Sequence, residues 1–276
     1  MAPYSDNEIQ VLGYPPKKKN KWKWGVAVFI VGIALVLAFV FFPKEEEDKY
    51  VDLRNFKTEL NAPPKSDDFF IESGVEHYDD MVNDVSMYVF HLIDMSAELS
   101  TDVSQYTDST ECFIVQAADI RQDNGKFVGD FVVNGKKLSS GKRKKGYCAV
   151  IDGKITIGMS EDDEMMNRCI AEGGSFFRQY PLVSNGVMQE NKLKGKSIRR
   201  ALARKGNKFY VYETENRESM HDFAEALQDM GVSEAISLVG GDAYMYWWQD
   251  NELYETYDLS KVKNNNFIVF REKGKQ

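Results

Sequence analysis

The sequence is poor in the residues that hold metals and staple small domains together. Its 276 residues include three histidines and three cysteines. His77, His91 and His221 stand singly, and no CxxC or Cys/His spacing is present, so zinc-type ligation has no constellation to work with. Nothing in the chain asks for a metal or a cofactor. Cys112, Cys148 and Cys169 each lie in an apolar stretch. One disulfide and three buried thiols are equally good readings of them, and the odd count leaves at least one thiol unpaired. Internal repeats and low-complexity tracts are absent, as is any N-x-S/T acceptor site.

Positive charge is also scarce. Asp and Glu number 43 against 35 Lys and Arg, a net charge of −8. The imbalance is unevenly spread. Five lysines against Asp6 and Glu8 leave residues 1–24 at +3, and residues 25–42 carry no charge, so residues 43–276 carry −11. A domain that acidic lacks the electrostatic footprint of nucleic-acid binding. The basic cluster "GKRKKG" (141–146) is the local exception, and it reads as a solvated loop or a docking patch for an anionic polymer.

What is present first is one long apolar run. Residues 25–42, "GVAVFIVGIALVLAFVFF", contain no hydrogen-bonding side chain. As a helix they would rise about 27 Å, close to the hydrocarbon thickness of a bilayer. Lys17, Lys18, Lys19, Lys21 and Lys23 precede the run, and Glu45, Glu46, Glu47 and Asp48 follow it. The positive-inside rule then predicts a cytoplasmic tail over 1–24, an anchor over 25–42 and an extracytoplasmic remainder. The following "FVFFPKEEE" offers no small-residue cleavage site, which favours an anchor over a cleaved signal peptide. The missing glycosylation sites and modest length point to a bacterial envelope, with the domain in the periplasm.

Residues 43–67 read as a charged stalk ending in Pro63-Pro64, and residues 68–276 as one domain. Asn124-Gly125, Asn134-Gly135, Asp152-Gly153, Asn185-Gly186 and Gly206-Asn207 punctuate β-rich runs with dipeptides that supply the positive φ of tight hairpins. Two helices are expected. One is capped by Ser219 and closed by Gly231; the other is capped by Ser160 and stopped by Gly173-Gly174. The fold class is α+β, a mainly antiparallel twisted sheet with packed helices.

Three stretches put polar groups where packing alone would not ask for them. In "FIVQAADIR", strand alternation would set Asp119 and Arg121 on one face. In "GGSFFRQYPLV", Arg178 and Gln179 interrupt a hydrophobic run, where a guanidinium needs a carboxylate or phosphate partner. In "SIRRALARKG", Arg199 and Arg200 enter another strand. Such arginines suit bidentate recognition of an anionic ligand, or they pair structurally with neighbouring acids. A fourth stretch, "SLVGGDAYMYWW" (237–248), joins a β-type run to paired glycines, an acid and four aromatics. Tyr244, Tyr246 and Trp248 would share one side of the strand and form either a sugar-stacking face or core.

The order "RRALARKGNKFYVYETENRESMHDFAEALQDMGVSEAISLVGGDAYMYW" resembles the C-terminal half of the phosphodiester glycosidase domain family. Shared with it are an Arg-led strand, a hairpin, a Ser-capped helix ending in Gly, and a strand running into paired glycines. "QAADIRQDNGKFVGDFVVNGKKL" is similar to the family's earlier strand, Gly-x-x-x-Gly loop and Asn-Gly turn, and the resemblance spans about residues 85–271. It implies Asp119 and Asp242 as acid/base candidates, with Arg121, Arg178, Gln179, Arg199, Gly240 and Gly241 as contacts to a glycan or phosphosugar. This chain departs from the pattern at Val239, where the family has an Asp before its glycines. The family's first-motif asparagine is missing, with Asp119 close by, and Ala243 and Tyr244 replace small hydroxyl residues. Three functions follow as expectations: an anchored hydrolase of glycosyl phosphodiesters, a binding or accessory module that keeps the fold without the catalysis, or a purely structural periplasmic domain with no shared polar pocket.

Overall fold

The computed structural model describes residues 73–273 apart from 107–108, 110–111, 122, 142–143, 250–251, 257–258, 260–261 and 263–265. The expected cytoplasmic tail, anchor and stalk lie outside the described residues. No helix among the described residues is long and apolar enough to cross a membrane.

The strands form three sheets in which every pairing is antiparallel. A seven-stranded sheet runs in the order β1 (Gly74–Val82), β2 (Val85–Ile93), β13 (Lys208–Thr214), β12 (Arg200–Lys205), β14 (Glu234–Leu238), β10 (Pro181–Ser184), β11 (Val187–Met188). A five-stranded sheet runs β16 (Glu252–Glu255), β15 (Met245–Gln249), β4 (Cys112–Gln116), β17 (Phe267–Glu272), β3 (Met95–Ser100). A second five-stranded sheet runs β6 (Lys136–Ser139), β5 (Phe131–Val133), β9 (Ser175–Gln179), β7 (Gly146–Ile151), β8 (Lys154–Met159). The antiparallel α+β expectation matches this layout.

Period-two alternation explains how three sheets share one core. Leu202, Val211, Ile236, Phe113, Val115, Phe131, Phe177 and Ile268 face inward into a common cluster. Ala201, Ala203, Tyr212 and Ala235 face the other way and are covered by helix α2 (Met220–Asp229) through Phe223, Ala224 and Leu227. Helix α1 (Glu164–Ala171) covers the outer face of the third sheet with Met166 and Cys169. All three cysteines are buried and none forms a disulfide, which decides between the two readings of them.

The hairpin dipeptides do what their chemistry predicts. Asn134-Gly135, Asp152-Gly153 and Asn185-Gly186 all take positive φ and join β5 to β6, β7 to β8 and β10 to β11. Ser219 caps α2, its hydroxyl accepting from the Asp222 amide at 3.0 Å, and Gly231 at φ 79° lets the helix end with Val232 bonded back to Leu227. The Ser160 expectation is corrected. Helix α1 begins three residues later, after Asp163, and Ser160 instead accepts from the Asp162 amide in the preceding turn. Both sides of β15 are core. Tyr244 and Tyr246 pack against Ile114 and Phe267, while Met245 and Trp247 enter the central cluster, so none of these four side chains is a stacking platform.

Candidate functional site

Three chain crossings between sheets converge on one rim. Residues 117–130 carry the chain from β4 to β5. Tyr180 is the corner between β9 and β10, where Pro181, lacking an N–H, starts the new strand. Residues 239–244 lead from β14 to β15. Backbone bonds tie the crossings together: Ser237 N donates to Tyr180 O at 2.9 Å, and Gln116 N donates to Tyr244 O at 3.0 Å. The Gln179 amide nitrogen reaches Ala117 O at 3.4 Å. Buried Asn266 pins the start of the first crossing by donating to Ala118 O at 3.1 Å and accepting from the Ala118 amide.

Asp119 stands just beyond that anchor point. The β4 strand has ended at Gln116, so the alternation expected to pair Asp119 with Arg121 does not operate. Asp119 instead forms an ion pair with Lys144, and its side chain is 38% exposed against 1% for the lysine. Lys144 Nζ also donates to Gln179 Oε1 at 2.6 Å and sits 4.5 Å from the Tyr180 ring centre. Gln179 Oε1 further accepts from Tyr180 N at 3.3 Å and Ser237 Oγ at 3.4 Å. Burial pushes the Lys144 ammonium below the usual lysine range, and the Asp119 charge opposes that shift. Of the candidates that the sequence pointed to, Asp119 and Gln179 are thus joined, through a lysine that had the look of a solvated loop residue.

The glycine loop is fixed from a second side. A Cβ on Gly240 would lie 2.3 Å from the Ile198 carbonyl oxygen and 3.4 Å from Arg199 Cα, so only glycine lets the loop seat on the entry to β12. Buried Arg200 then holds the loop ends. It pairs with Glu213 and donates to the carbonyls of Val239 and Ala243 at 3.3 Å and Tyr244 at 3.5 Å. Arg199, beside Gly240, is half-buried and donates to Glu218 O at 2.9 Å and Gly195 O at 2.7 Å. No carboxylate pairs with it among the described residues, and burial lowers its pKa. Gly241 takes φ 67°, and Asp242 is exposed at the loop tip.

Two other candidates are turned elsewhere. Arg178 faces the opposite side of β9 from Gln179. Its guanidinium donates to Asp130 at 2.9 Å, to Ser160 O at 2.6 Å and to Asp162 O, and it stacks over Phe176. Arg121 is exposed in the hairpin beyond Asp119, bonded to Asp123 at 2.9 and 2.7 Å. Neither is among the residues that the rim brings together. Lys144, Asn266 and Ser237 were missed by sequence reasoning. Only Lys144 gave any signal, and its basic neighbours disguised it.

No protein-family model matches the sequence, and no curated protein matches it. Solved structures do share the fold. The catalytic domain of zebrafish N-acetylglucosamine-1-phosphodiester alpha-N-acetylglucosaminidase, auto-inhibited by its pro-peptide, aligns with a TM-score of 0.52 and 15% identity. The match covers 73% of this chain and 83% of that one. A hypothetical protein from Synechocystis aligns with a TM-score of 0.55 and 12% identity, over 71% of this chain and 62% of its own. At such identities the likeness is one of fold, a distant structural relationship to a phosphodiester glycosidase domain.

Proposed function

We propose that this protein is a phosphodiester glycosidase-like hydrolase that acts on a glycosyl phosphodiester at the rim formed by the three sheet crossings. The supporting observation is that a partly exposed carboxylate, Asp119, stands on the first crossing, while Arg199, a guanidinium with no carboxylate partner among the described residues, stands at the entry to β12 against Gly240 of the third, and those two crossings are joined by the bond from Gln116 N to Tyr244 O. Cleaving such a bond needs an acid/base group and stabilisation of the phosphate charge. Asp119 takes the first role and Arg199 the second, with the Gly240-Gly241 backbone approached closely by the ligand. Asp242 is the second carboxylate, within the glycine loop.

One observation favours a second reading, a module that binds phosphosugars without cleaving them: Val239 stands where the family resemblance expects an aspartate. Titrating the full-length protein with an α-glycosyl methyl phosphate, and following product by phosphorus NMR, separates the two. Binding followed by release of methyl phosphate supports the hydrolase. Saturable binding with no product over days supports the module, and no binding at all excludes both. In either reading, residues 25–42 anchor the chain and the domain is extracytoplasmic. Release of the protein from membranes by alkaline carbonate would contradict the anchor.

A further inference from the structure

We propose that Lys144 is the positioning residue of the rim, holding the Asp119 carboxylate in one orientation with its second oxygen presented to the ligand. This rests on the reading of the rim as a glycosyl phosphodiester site, and it adds a residue that the family resemblance did not supply.

The geometry of the pair is asymmetric. Lys144 is sealed, its side chain 1% exposed, while Asp119 is open at 38%. Asp119 Oδ2 is taken by the ammonium, and Oδ1 has no partner among the described residues. The groups around Lys144 Nζ come from separate parts of the rim. Asp119 comes from 117–130, Gln179 and Tyr180 from the β9–β10 corner, and Ser237 of β14 reaches the same Gln179 oxygen. Asp119 is the only charge among them. The adjoining Lys145 is turned to Glu161 on the surface.

A sealed ammonium is a poor stabilising device. Its desolvation outweighs what one ion pair returns, and a neutral side chain of similar volume is often no less stable in such a position. Packing therefore does not ask for a lysine here, whereas a carboxylate that must keep one orientation does. A perturbed lysine with one specific charged partner at a rim is also the signature of a functional site. Gln179 sets the lysine in turn. Its Nε2 donates to Ala117 O, which fixes Oε1 toward the ammonium. The chain of orientation runs from Ala117 through Gln179 and Lys144 to Asp119.

The test uses the full-length protein labelled with nitrogen-15 lysine, the Lys144 resonance being assigned by its loss in Lys144→Met. The Lys144 ammonium should lose its proton below the usual lysine range, and in Asp119→Asn it should do so at still lower pH. Turnover of an α-glycosyl methyl phosphate provides the second readout. Lys144→Met should lower kcat about 100-fold, the lower end of what a positioned acid/base group contributes, with KM nearly unchanged. Lys144→Arg should restore part of the loss, and each variant is first checked for a native near-ultraviolet circular dichroism spectrum. Should Lys144→Met fail to fold, Asp119→Asn and Lys144→Arg carry the test. A Lys144 titration unmoved by Asp119→Asn overturns the proposal, as does wild-type kcat in Lys144→Met. A wild-type protein with no turnover would overturn the hydrolase reading alone, and the titration would then decide the pair by itself.

Discussion

Arg178 and Lys144 are both buried cations paired with carboxylates, and the two pairings differ in their access to solvent. Arg178 and Asp130 are each 2% exposed at the side chain, and backbone carbonyls satisfy the remaining guanidinium donors. That pair is closed to any ligand. Asp163, 3.5 Å from the guanidinium and 31% exposed, compensates it only in part. Asp130→Ala should therefore destabilise the domain by about 3–5 kcal/mol in urea unfolding. A loss under about 1 kcal/mol would mean that water reaches the guanidinium. The need for a partner at Arg178 was legible, because an arginine in "GGSFFRQYPLV" cannot be buried alone. The partner's identity was not, since Asp130 lies 48 residues away. Lys144 was illegible altogether. Within "GKRKKG" nothing local distinguishes the lysine that turns inward from neighbours such as Lys145, which stays at the surface.

Among the elements, those made by local chemistry were readable and those made by tertiary contacts were not. Asn-Gly and Asp-Gly turns carry their positive φ wherever they stand, and Ser219 and Gly231 mark a helix by capping alone. The end of β4 at Gln116 depends instead on Asn266, and the corner at Tyr180 on Ser237 of another strand. The glycine loop falls between these cases. Its paired glycines were visible, but the reason for Gly240 is the backbone of Ile198, 2.3 Å from where a Cβ would be, whereas Gly241 answers to its φ of 67°. Gly240→Ala should therefore lift the loop from β12, with a loss of about 1–3 kcal/mol in urea unfolding, because the clash is with backbone that cannot rotate away. Wild-type stability in that variant would show that the loop is not seated on the strand.

At the scale of the whole molecule, the clusters packed on the sheet faces away from the shared core also bury phenols, and this sets an alkaline limit. Burial pushes Tyr106 up to about 12 and drives Tyr212 and Tyr244 higher still, with Glu98 and Glu255 adding to the shifts of Tyr106 and Tyr244. A phenol raised above its unfolded value of 10.0 favours the folded state fully below pH 10. That contribution is lost as pH rises through 10 to 12 and beyond. Lys144, lowered by burial, acts in the opposite sense as pH approaches 10.5, but it is one group against three. Tyrosinate absorbance at about 295 nm should thus show a late phase coincident with loss of circular dichroism. Smooth ionisation of all the tyrosines in a still-folded protein would contradict the packing. The sheet class was visible from the turns, but the division into three sheets was not, because pairings such as β2 with β13 join segments remote in sequence.

The fold and the rim together make one central claim, that Asp119 and Arg199 serve a single glycosyl phosphodiester. It is tested most directly by the kcat/KM for an α-glycosyl methyl phosphate in the wild type, Asp119→Asn and Arg199→Ala, beside Arg121→Ala as a control whose exposed guanidinium is bonded to Asp123. The account predicts measurable turnover in the wild type and the control, with losses of about 100-fold or more in both rim variants. Turnover that survives either rim substitution, or that Arg121→Ala abolishes equally, would contradict it.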